Sequence, residues 1–188
     1  MGKIFISYRS ADVPFGASLL DAALSGYFGA GSVFRDSRSL RPGDVFDPEI
    51  MRAVREAAVM LVLIGPGWWG EPPDGSGPRK IDSPDDFIRR ELVEAFDHNV
   101  RVIPVLMGVD RLKPADLPKE IRALATLQYC VVRWRHSHVD LESLVASLRD
   151  IVPGIEAAGP PAPERWQAHR VGAVFHGRVD VAGDLNIN

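Results

Sequence analysis

The chain has 188 residues, of which 46% are hydrophobic and 25% are charged. That length predicts one domain with room for a short appendage, and the composition is typical of a globular protein rather than a disordered one. The net charge of −3 gives no general preference for nucleic acid or for an anionic membrane surface. The single cysteine, Cys130, excludes an internal disulfide and a cysteine-based zinc cluster.

Targeting and membrane signals are missing from the sequence as it stands. The N-terminal apolar run is too short for a signal peptide, and no small-residue cleavage site follows it. The longest apolar stretch, residues 57–64, is far shorter than the roughly 20 residues that cross a bilayer. One unpaired cysteine also suits a reducing compartment. We therefore expect a cytoplasmic protein that binds neither membrane nor nucleic acid.

Strand and helix patterns alternate along the first four-fifths of the chain. Short β-rich runs predict strands, and apolar residues at helical spacing predict the helices between them. The run at 59–64 lacks polar alternation, which is typical of a strand covered on both faces. The predicted strands are 3–7, 32–35, 59–64, 100–106 and 128–132, and the predicted helices are 12–28, one opening at 47–49, one opening at Ser83, 117–127 and 139–151.

Five such alternations predict an α/β fold: a flavodoxin-like, open, five-stranded parallel sheet with helices on both faces. Sheets of this kind place their sites at the carboxyl ends of the strands. The loops after Ile6, Arg35 and Ile64, together with the helix opening at Ser83, are therefore where we expect a site. Ser83 is predicted as the helix cap, with Asp85 and Asp86 as first-turn acids that complement the helix dipole.

The composition changes at Pro153. We predict a domain over 1–152, a stiff proline-rich linker over 153–165 and a β-prone, glycine-punctuated tail over 166–188. Two six-residue units, beginning at Gly177 and Gly183, alternate aliphatic with polar residues.

Several catalytic signatures are absent from the sequence. It has no P-loop lysine motif, no dinucleotide-binding G-x-G-x-x-G after the first strand and no G-x-S-x-G nucleophile elbow. Its five histidines show no helical spacing with carboxylates that would bind a metal. We expect neither a metal nor a separate cofactor.

Five segments, each at the expected element, carry a family resemblance. The chain from Ile4 to about Val152 resembles a bacterial TIR (Toll/interleukin-1 receptor/resistance protein) domain. The segments are IFISYR at 4–9, VFRD at 33–36 with LRPGDVF at 40–46, LIGPGWW at 63–69, DDFIRRE at 85–91 and VIPVL at 102–106.

The resemblance implies one of two activities. Some TIR domains are adaptors that only associate with one another, whereas others cleave NAD+ at the nicotinamide–ribose bond and yield ADP-ribose or cyclic variants. The enzymatic members carry an essential helix glutamate four residues after an aromatic residue. Here Phe87 and Glu91 occupy that pattern, with Phe in place of the common Trp. The alternative interpretation of Glu91 is an ordinary surface residue in an i, i+4 setting.

One carboxylate is enough for this chemistry. The nicotinamide of NAD+ is a cationic leaving group that departs as a neutral molecule, so its departure needs no general acid. Glu91 would steady the oxocarbenium-like ribose or hold its hydroxyl groups. The lack of an obvious second catalytic carboxylate is therefore compatible with an NAD+-cleaving enzyme.

Other substrate-binding candidates follow from the resemblance. Tyr8 and Arg9 correspond to a pair that lines the pocket of enzymatic relatives, although Arg9 alternatively stays solvated or pairs with Asp36. The loop 36–46 matches the family's gating loop, so Phe46 would close over the substrate or else pack on the following helix. Trp68 would stack on adenine or nicotinamide, or alternatively cap the end of the sheet.

The resemblance also implies activation by assembly, because a family site spans two TIR units. Segment 177–188 resembles bacterial amyloid-type signalling motifs, so an upstream receptor with a similar motif would template the tail and cluster the domains. The alternative is a terminal hairpin packed on the domain, or the stump of a longer chain.

The sequence thus predicts a TIR-domain NAD+ hydrolase or cyclase that is activated by self-association in bacterial antiphage immunity. NAD+ is its substrate. The main alternative is a non-enzymatic TIR scaffold. A response-regulator-like switch is disfavoured, because Gly65-Pro66-Gly67 stands where a phosphoacceptor aspartate would be needed.

Overall fold

The computed structural model describes residues 3–35, 48–72 and 77–152. Residues 36–47, which include Phe46, and the predicted linker and tail lie outside the described residues. The domain boundary at Val152 and the tail assignment therefore stay predictions.

Five parallel strands form one sheet. They are β1 (Lys3–Ser7), β2 (Val33–Arg35), β3 (Ala57–Ile64), β4 (Arg101–Leu106) and β5 (Cys130–Val131). Their spatial order is β2-β1-β3-β4-β5, and every neighbouring pair is parallel. This is the doubly wound order, in which successive strands are added on one side of β1 and then, from β3 onward, on the other side. The predicted flavodoxin-like fold is confirmed.

In the described part of the chain, four α-helices cover the two faces of the sheet: α1 (Pro14–Phe28), α2 (Pro48–Glu56), α3 (Phe87–Asp97) and α4 (Ser137–Ile151). Alternate residues of β3 explain the arrangement. Met60, Val62 and Ile64 pack in one core with α2 and α3. The intervening residues of β3 pack in a second core with α1 and α4. Both faces of β3 are thus buried, as its unbroken apolar run predicts.

The start of α3 differs from the prediction. The helix begins at Phe87 rather than just after Ser83, and Asp86 is its N-cap, accepting a hydrogen bond from the Arg89 amide. The Ser83 carbonyl instead accepts the Asp86 amide in a turn, 3.1 Å away. The Ser83 hydroxyl accepts the Asp85 amide within that turn. Ser83-Pro84 therefore forms a tight turn, and the capping oxygen comes from Asp86, three residues later.

Two further elements are smaller or tighter than predicted. The helix predicted over 117–127 is a 3₁₀ helix, Lys119–Thr126. The strand predicted over 128–132 is reduced to β5, because only Cys130 and Val131 pair with β4. None of the helices in the described part of the chain is both long and apolar enough to cross a membrane.

The Asp140 carboxylate stabilises the start of α4. The Asp140 carboxylate accepts hydrogen bonds from the side chain and the backbone amide of Arg133, and together these hold the Asp140 pKa at about 2. Because the folded-state pKa is depressed from 3.8, the contact stabilises the protein above about pH 4 and is lost as the pH falls toward 2.

Asp140→Asn should therefore lower the free energy of unfolding at neutral pH by about 1 kcal/mol, since the Arg133 side chain is largely exposed. The deficit relative to wild type should shrink as the pH is lowered through 4. Urea denaturation at several pH values measures it, and a deficit that does not change with pH would contradict the assignment.

Candidate active site

The carboxyl ends of β1 and β3 meet the amino end of α3, which is where the sequence predicts a site. Residues of β1 alternate between the two cores, so that Phe5 lies in the α2/α3 core whereas Ile4 and Ile6 lie in the other. Ser7 and Arg9 continue the Phe5 side, and both contact α3 or its cap. The site is therefore built on rigid secondary structure rather than on loops alone.

Glu91 is the central group. Its side chain is 1% exposed, on the face of α3 that packs against the sheet with Ile88, Leu92 and Ala95. The Ser7 hydroxyl donates a hydrogen bond of 2.5 Å to Glu91 Oε2. A carboxylate in a position that normally holds an apolar side chain costs free energy unless it is hydrogen-bonded. Such a placement is typical of a functional group rather than of a surface residue.

Phe87 lies one turn before Glu91 on the same helix. It is half-buried and packs against the α2/α3 core. The predicted spacing is confirmed: Phe87 is in the first turn of α3 and Glu91 in the second. Whether the Phe87 ring contacts a substrate stays a prediction.

Arg9 connects three parts of the site. Its guanidinium donates to both carboxylate oxygens of Asp86, at 3.1 and 2.9 Å, and to the Trp68 carbonyl at 2.9 Å. The side chains of Arg9 and Asp86 are only 13% and 3% exposed. Because Asp86 also caps α3, this ion pair ties β1 to the helix that carries Glu91. In the structure Arg9 thus orients the site, and its contact with substrate stays a prediction.

The tryptophan pair after β3 is arranged differently from the prediction of a stacking face. The Trp68 side chain is 0% exposed and packs in the α2/α3 core. Its indole N–H is buried without a hydrogen-bond partner among the described residues. Trp69 packs edge-on against it, with ring centroids 5.2 Å apart, and carries the Arg79 guanidinium at 4.7 Å. Trp68 is therefore a core residue next to the site, and Trp69 is the more exposed of the two.

Tyr8 is placed on the other face of the sheet, and its predicted role in lining the pocket stays a prediction. It is half-buried and packs against the core on the α1/α4 face of the sheet. Strand alternation explains this, because Tyr8 lies between Ser7 and Arg9, which both point to the other face. Phe46 falls outside the described residues, so its predicted role is not addressed by the structure.

Asp12 shapes the loop after β3 and was not predicted. Its two carboxylate oxygens accept the backbone amides of Gly65 and Gly67, at 2.9 and 2.7 Å. A Cβ atom on Gly65 would lie 2.5 Å from the Asp12 carboxylate, so only glycine allows this approach. Gly65 is thus needed for the contact by which Asp12 holds the loop leading to Trp68. The sequence signal was the Gly-Pro-Gly itself, without any indication of its partner.

Two further observations complete the description of the site. A cavity of about 460 Å³ lies between α2 and α3, and Pro48, Arg89 and Arg90 lie on its walls.

Among the described residues, no group of three or more His, Cys, Asp or Glu side chains could hold a metal ion.

Comparison with known proteins identifies the family. A family model described as TIR domain matches residues 4–145. The chain belongs to the TIR domain family. The match begins in β1 and ends within α4, so it covers the sheet apart from Lys3 and all of the site residues described above. That the domain is of bacterial type stays a prediction.

Two relatives of this TIR domain are NAD(+) hydrolases by name. The NAD(+) hydrolase sarm1 of Drosophila melanogaster is 29% identical over 140 residues, which are 73% of this chain and 9% of that protein. The NAD(+) hydrolase tir-1 of Caenorhabditis elegans is 28% identical over 143 residues, 73% of this chain and 13% of that protein. The chain thus spans only about a tenth of the length of these relatives.

A structural neighbour supports the fold. The TIR domains in a structure of the activated Roq1 resistosome, which directly recognises the pathogen effector XopQ, superpose with a TM-score of 0.52 at 15% identity. The superposition covers 79% of this chain and 99% of that one.

Proposed function

We propose that this TIR domain is an NAD+ glycohydrolase that cleaves the nicotinamide–ribosyl bond. The observation that carries the proposal is the buried Glu91 carboxylate, hydrogen-bonded by Ser7 at the carboxyl edge of the sheet. The two named NAD(+) hydrolases, related over the same region, supply the reaction. The position of Glu91 behind Phe87 on α3 fits the family's aromatic-x-x-x-Glu pattern.

The reaction is a heterolytic cleavage. The bond between ribose C1′ and the nicotinamide nitrogen breaks, and its electron pair stays on that nitrogen, which neutralises the ring. Positive charge develops on the ribose, where a carboxylate stabilises it electrostatically. Water then adds to C1′ and loses a proton, which gives ADP-ribose. If an atom of the adenine adds instead of water, the product is cyclic.

Burial strengthens the carboxylate's effect. A charge in a site of low dielectric constant interacts far more strongly with developing charge than it does in water. Ser7 fixes one oxygen of Glu91, and the Arg9–Asp86 pair fixes the helix start, so the carboxylate is oriented before substrate binds. A preorganised group of this kind needs little rearrangement in the transition state.

Assembly, biological role and location complete the proposal. We expect activity to depend on contact between TIR domains, and we place the enzyme in bacterial antiphage defence, with an upstream receptor acting on the tail. We place it in the cytoplasm, where its nucleotide substrate is present and where Cys130 would stay reduced. In this role, loss of NAD+ would halt the metabolism of an infected cell.

Product analysis tests the proposal. The purified full chain is incubated with NAD+, and nicotinamide, ADP-ribose and cyclic products are quantified by chromatography with mass detection. We expect one nicotinamide for each NAD+ consumed, with a specific activity that rises as the protein is concentrated, because contact between domains completes the site. No nicotinamide at any concentration, with or without crowding agents, would contradict the proposal and favour the non-enzymatic scaffold.

A further inference from the structure

The sheet leaves part of β4 without a neighbouring strand. β4 pairs with β3 along its whole length, Arg101–Leu106, whereas β5 pairs only with Val105 and Leu106. Within the described ranges, residues 101–103 have no strand on their outer side. An edge of this kind presents backbone donors and acceptors that can pair with another strand.

Two hydrogen bonds show which backbone groups point outward. The Leu106 carbonyl accepts the Val132 amide on the outer side, and the Met107 amide donates to the Ile64 carbonyl on the β3 side. Peptide groups alternate sides along a parallel strand. The amide and carbonyl of Val102 are therefore directed outward without a strand beside them, whereas the register of β4 and β5 places the outward carbonyl of Pro104 opposite the Cys130 amide. Pro104 has no amide hydrogen, and a strand proline is normally found on such an outer side.

An apolar groove lies beside this edge. Its volume is about 770 Å³, and its walls come from the end of α3, from β4, from the segment before β5 and from α4. Apolar and aromatic wall residues include Phe96, Leu127, Tyr129 and Ile151. Tyr129, on the wall of the groove, is 40% exposed and is one of five exposed large hydrophobic residues among those described. Backbone pairing beside apolar pockets is how sheet edges accept an added strand.

The chain itself carries a segment that fits. Ile151, the last residue of α4, lines the groove, so the C-terminal part of the chain is tethered close to it. In segment 177–188 every odd position is apolar or glycine, and the even positions hold mostly polar residues. An added strand in this pattern puts its apolar side chains on one face. The apolar members are Val179, Val181, Leu185 and Ile187.

The length of the connecting chain and the charge of segment 177–188 also fit this groove. Residues 153–176 connect α4 to the segment and can extend over roughly 80 Å at about 3.3 Å per residue, far more than the neighbouring groove requires. A tether keeps the segment at a high effective concentration near the edge. Asp180 and Asp184 lie at its polar positions, and the exposed Arg101 at the start of β4 offers the opposite charge.

We propose that a strand from segment 177–188 pairs with the outer edge of β4 at Arg101–Ile103, through the amide and carbonyl of Val102, and buries its apolar side chains in the groove. The occupant is the chain's own tail rather than a second copy. A tail strand held on β4 has one backbone edge paired and its apolar side chains buried, so that edge and those side chains are not available to another chain. Docking therefore controls whether the tail is available for association between molecules, and it does so independently of NAD+ cleavage.

Hydrogen–deuterium exchange on the full chain tests the proposal. Two variants each replace four residues by serine, one at the apolar positions of the tail and one at the polar positions. We expect the Val102 amide to exchange about tenfold faster in the first variant and less than about twofold faster in the second, which loses the charges that complement Arg101 but keeps the apolar face. The Ile103 amide, which points toward β3, should be unchanged in both. The replaced sets are Val179, Val181, Leu185 and Ile187, and Asp180, Ala182, Asp184 and Asn186.

Dilution separates the tail from a second copy. Pairing within one chain predicts Val102 protection that does not vary with protein concentration. Protection that falls on dilution would place a second copy in the groove and overturn the proposal. Equal Val102 exchange in wild type and in the apolar-position variant would overturn it as well.

Discussion

Glu91→Gln is expected to reduce the rate of nicotinamide release by about 10²–10³-fold, the usual cost of removing one preorganised electrostatic group. The substitution keeps the size of the side chain and an acceptor for the Ser7 hydroxyl, but it removes the negative charge that faces the developing cation. The loss should appear in kcat, with the affinity for NAD+ nearly preserved, because the charge acts on the transition state.

Folding should survive this substitution. A neutral amide avoids the cost of burying a charge, so the melting temperature of Glu91→Gln should equal or exceed that of wild type. Glu142→Gln is the matched control, because Glu142 is 54% exposed on α4, which covers the other face of the sheet. Full activity in Glu91→Gln, or an equal loss in Glu142→Gln, would remove Glu91 from the mechanism.

Breaking the Arg9–Asp86 pair is expected to have the largest effect on stability. Both side chains are nearly buried, so Asp86→Ala leaves the Arg9 guanidinium without its carboxylate and also removes the cap of α3. A loss of about 3 kcal/mol in the free energy of unfolding is the usual cost of such a change. Nicotinamide release should fall as well, because α3 positions Glu91.

Asp86→Asn separates the two roles of Asp86. Asparagine is a good N-cap, so this variant should keep the helix start while losing the ion pair, and its stability should lie between wild type and Asp86→Ala. The control is Arg55→Met, which removes the partly exposed pair with Glu94 and should cost under about 1 kcal/mol. Urea denaturation compares the variants. Equal losses for Asp86→Ala and Arg55→Met would show that the Arg9–Asp86 pair is only a surface contact.

Most of the fold was predictable because it depends on local patterns. The unbroken apolar run of β3 and the helical spacings on either side of it determine a doubly wound sheet. The start of a helix was harder to predict where two residues could each serve as its N-cap. Ser83 and Asp86 can each cap a helix. Asp86 is the N-cap in the structure, and its carboxylate is held by Arg9, which is distant in the sequence.

The site was predictable only in part. Glu91 and Phe87 followed from spacing on one helix together with the family resemblance. Ser7 and Asp12 were missed, because their contacts with Glu91 and Gly65 span 84 and 53 residues of sequence. The one available signal for Ser7 was the alternation of β1. Ser7 lies two residues after Phe5, on the same core-facing side, where an apolar residue would be expected. Nothing local showed that Trp68, in a loop, would be fully buried.

A crystal structure of Glu91→Gln with NAD+ bound tests the central claim most directly, because the variant should bind the substrate without cleaving it. We predict that the substituted side chain lies within about 3 Å of the ribose that carries nicotinamide, beside Phe87 and at the carboxyl ends of β1 and β3. NAD+ bound elsewhere on the domain, or with its nicotinamide ribose far from position 91, would contradict the account.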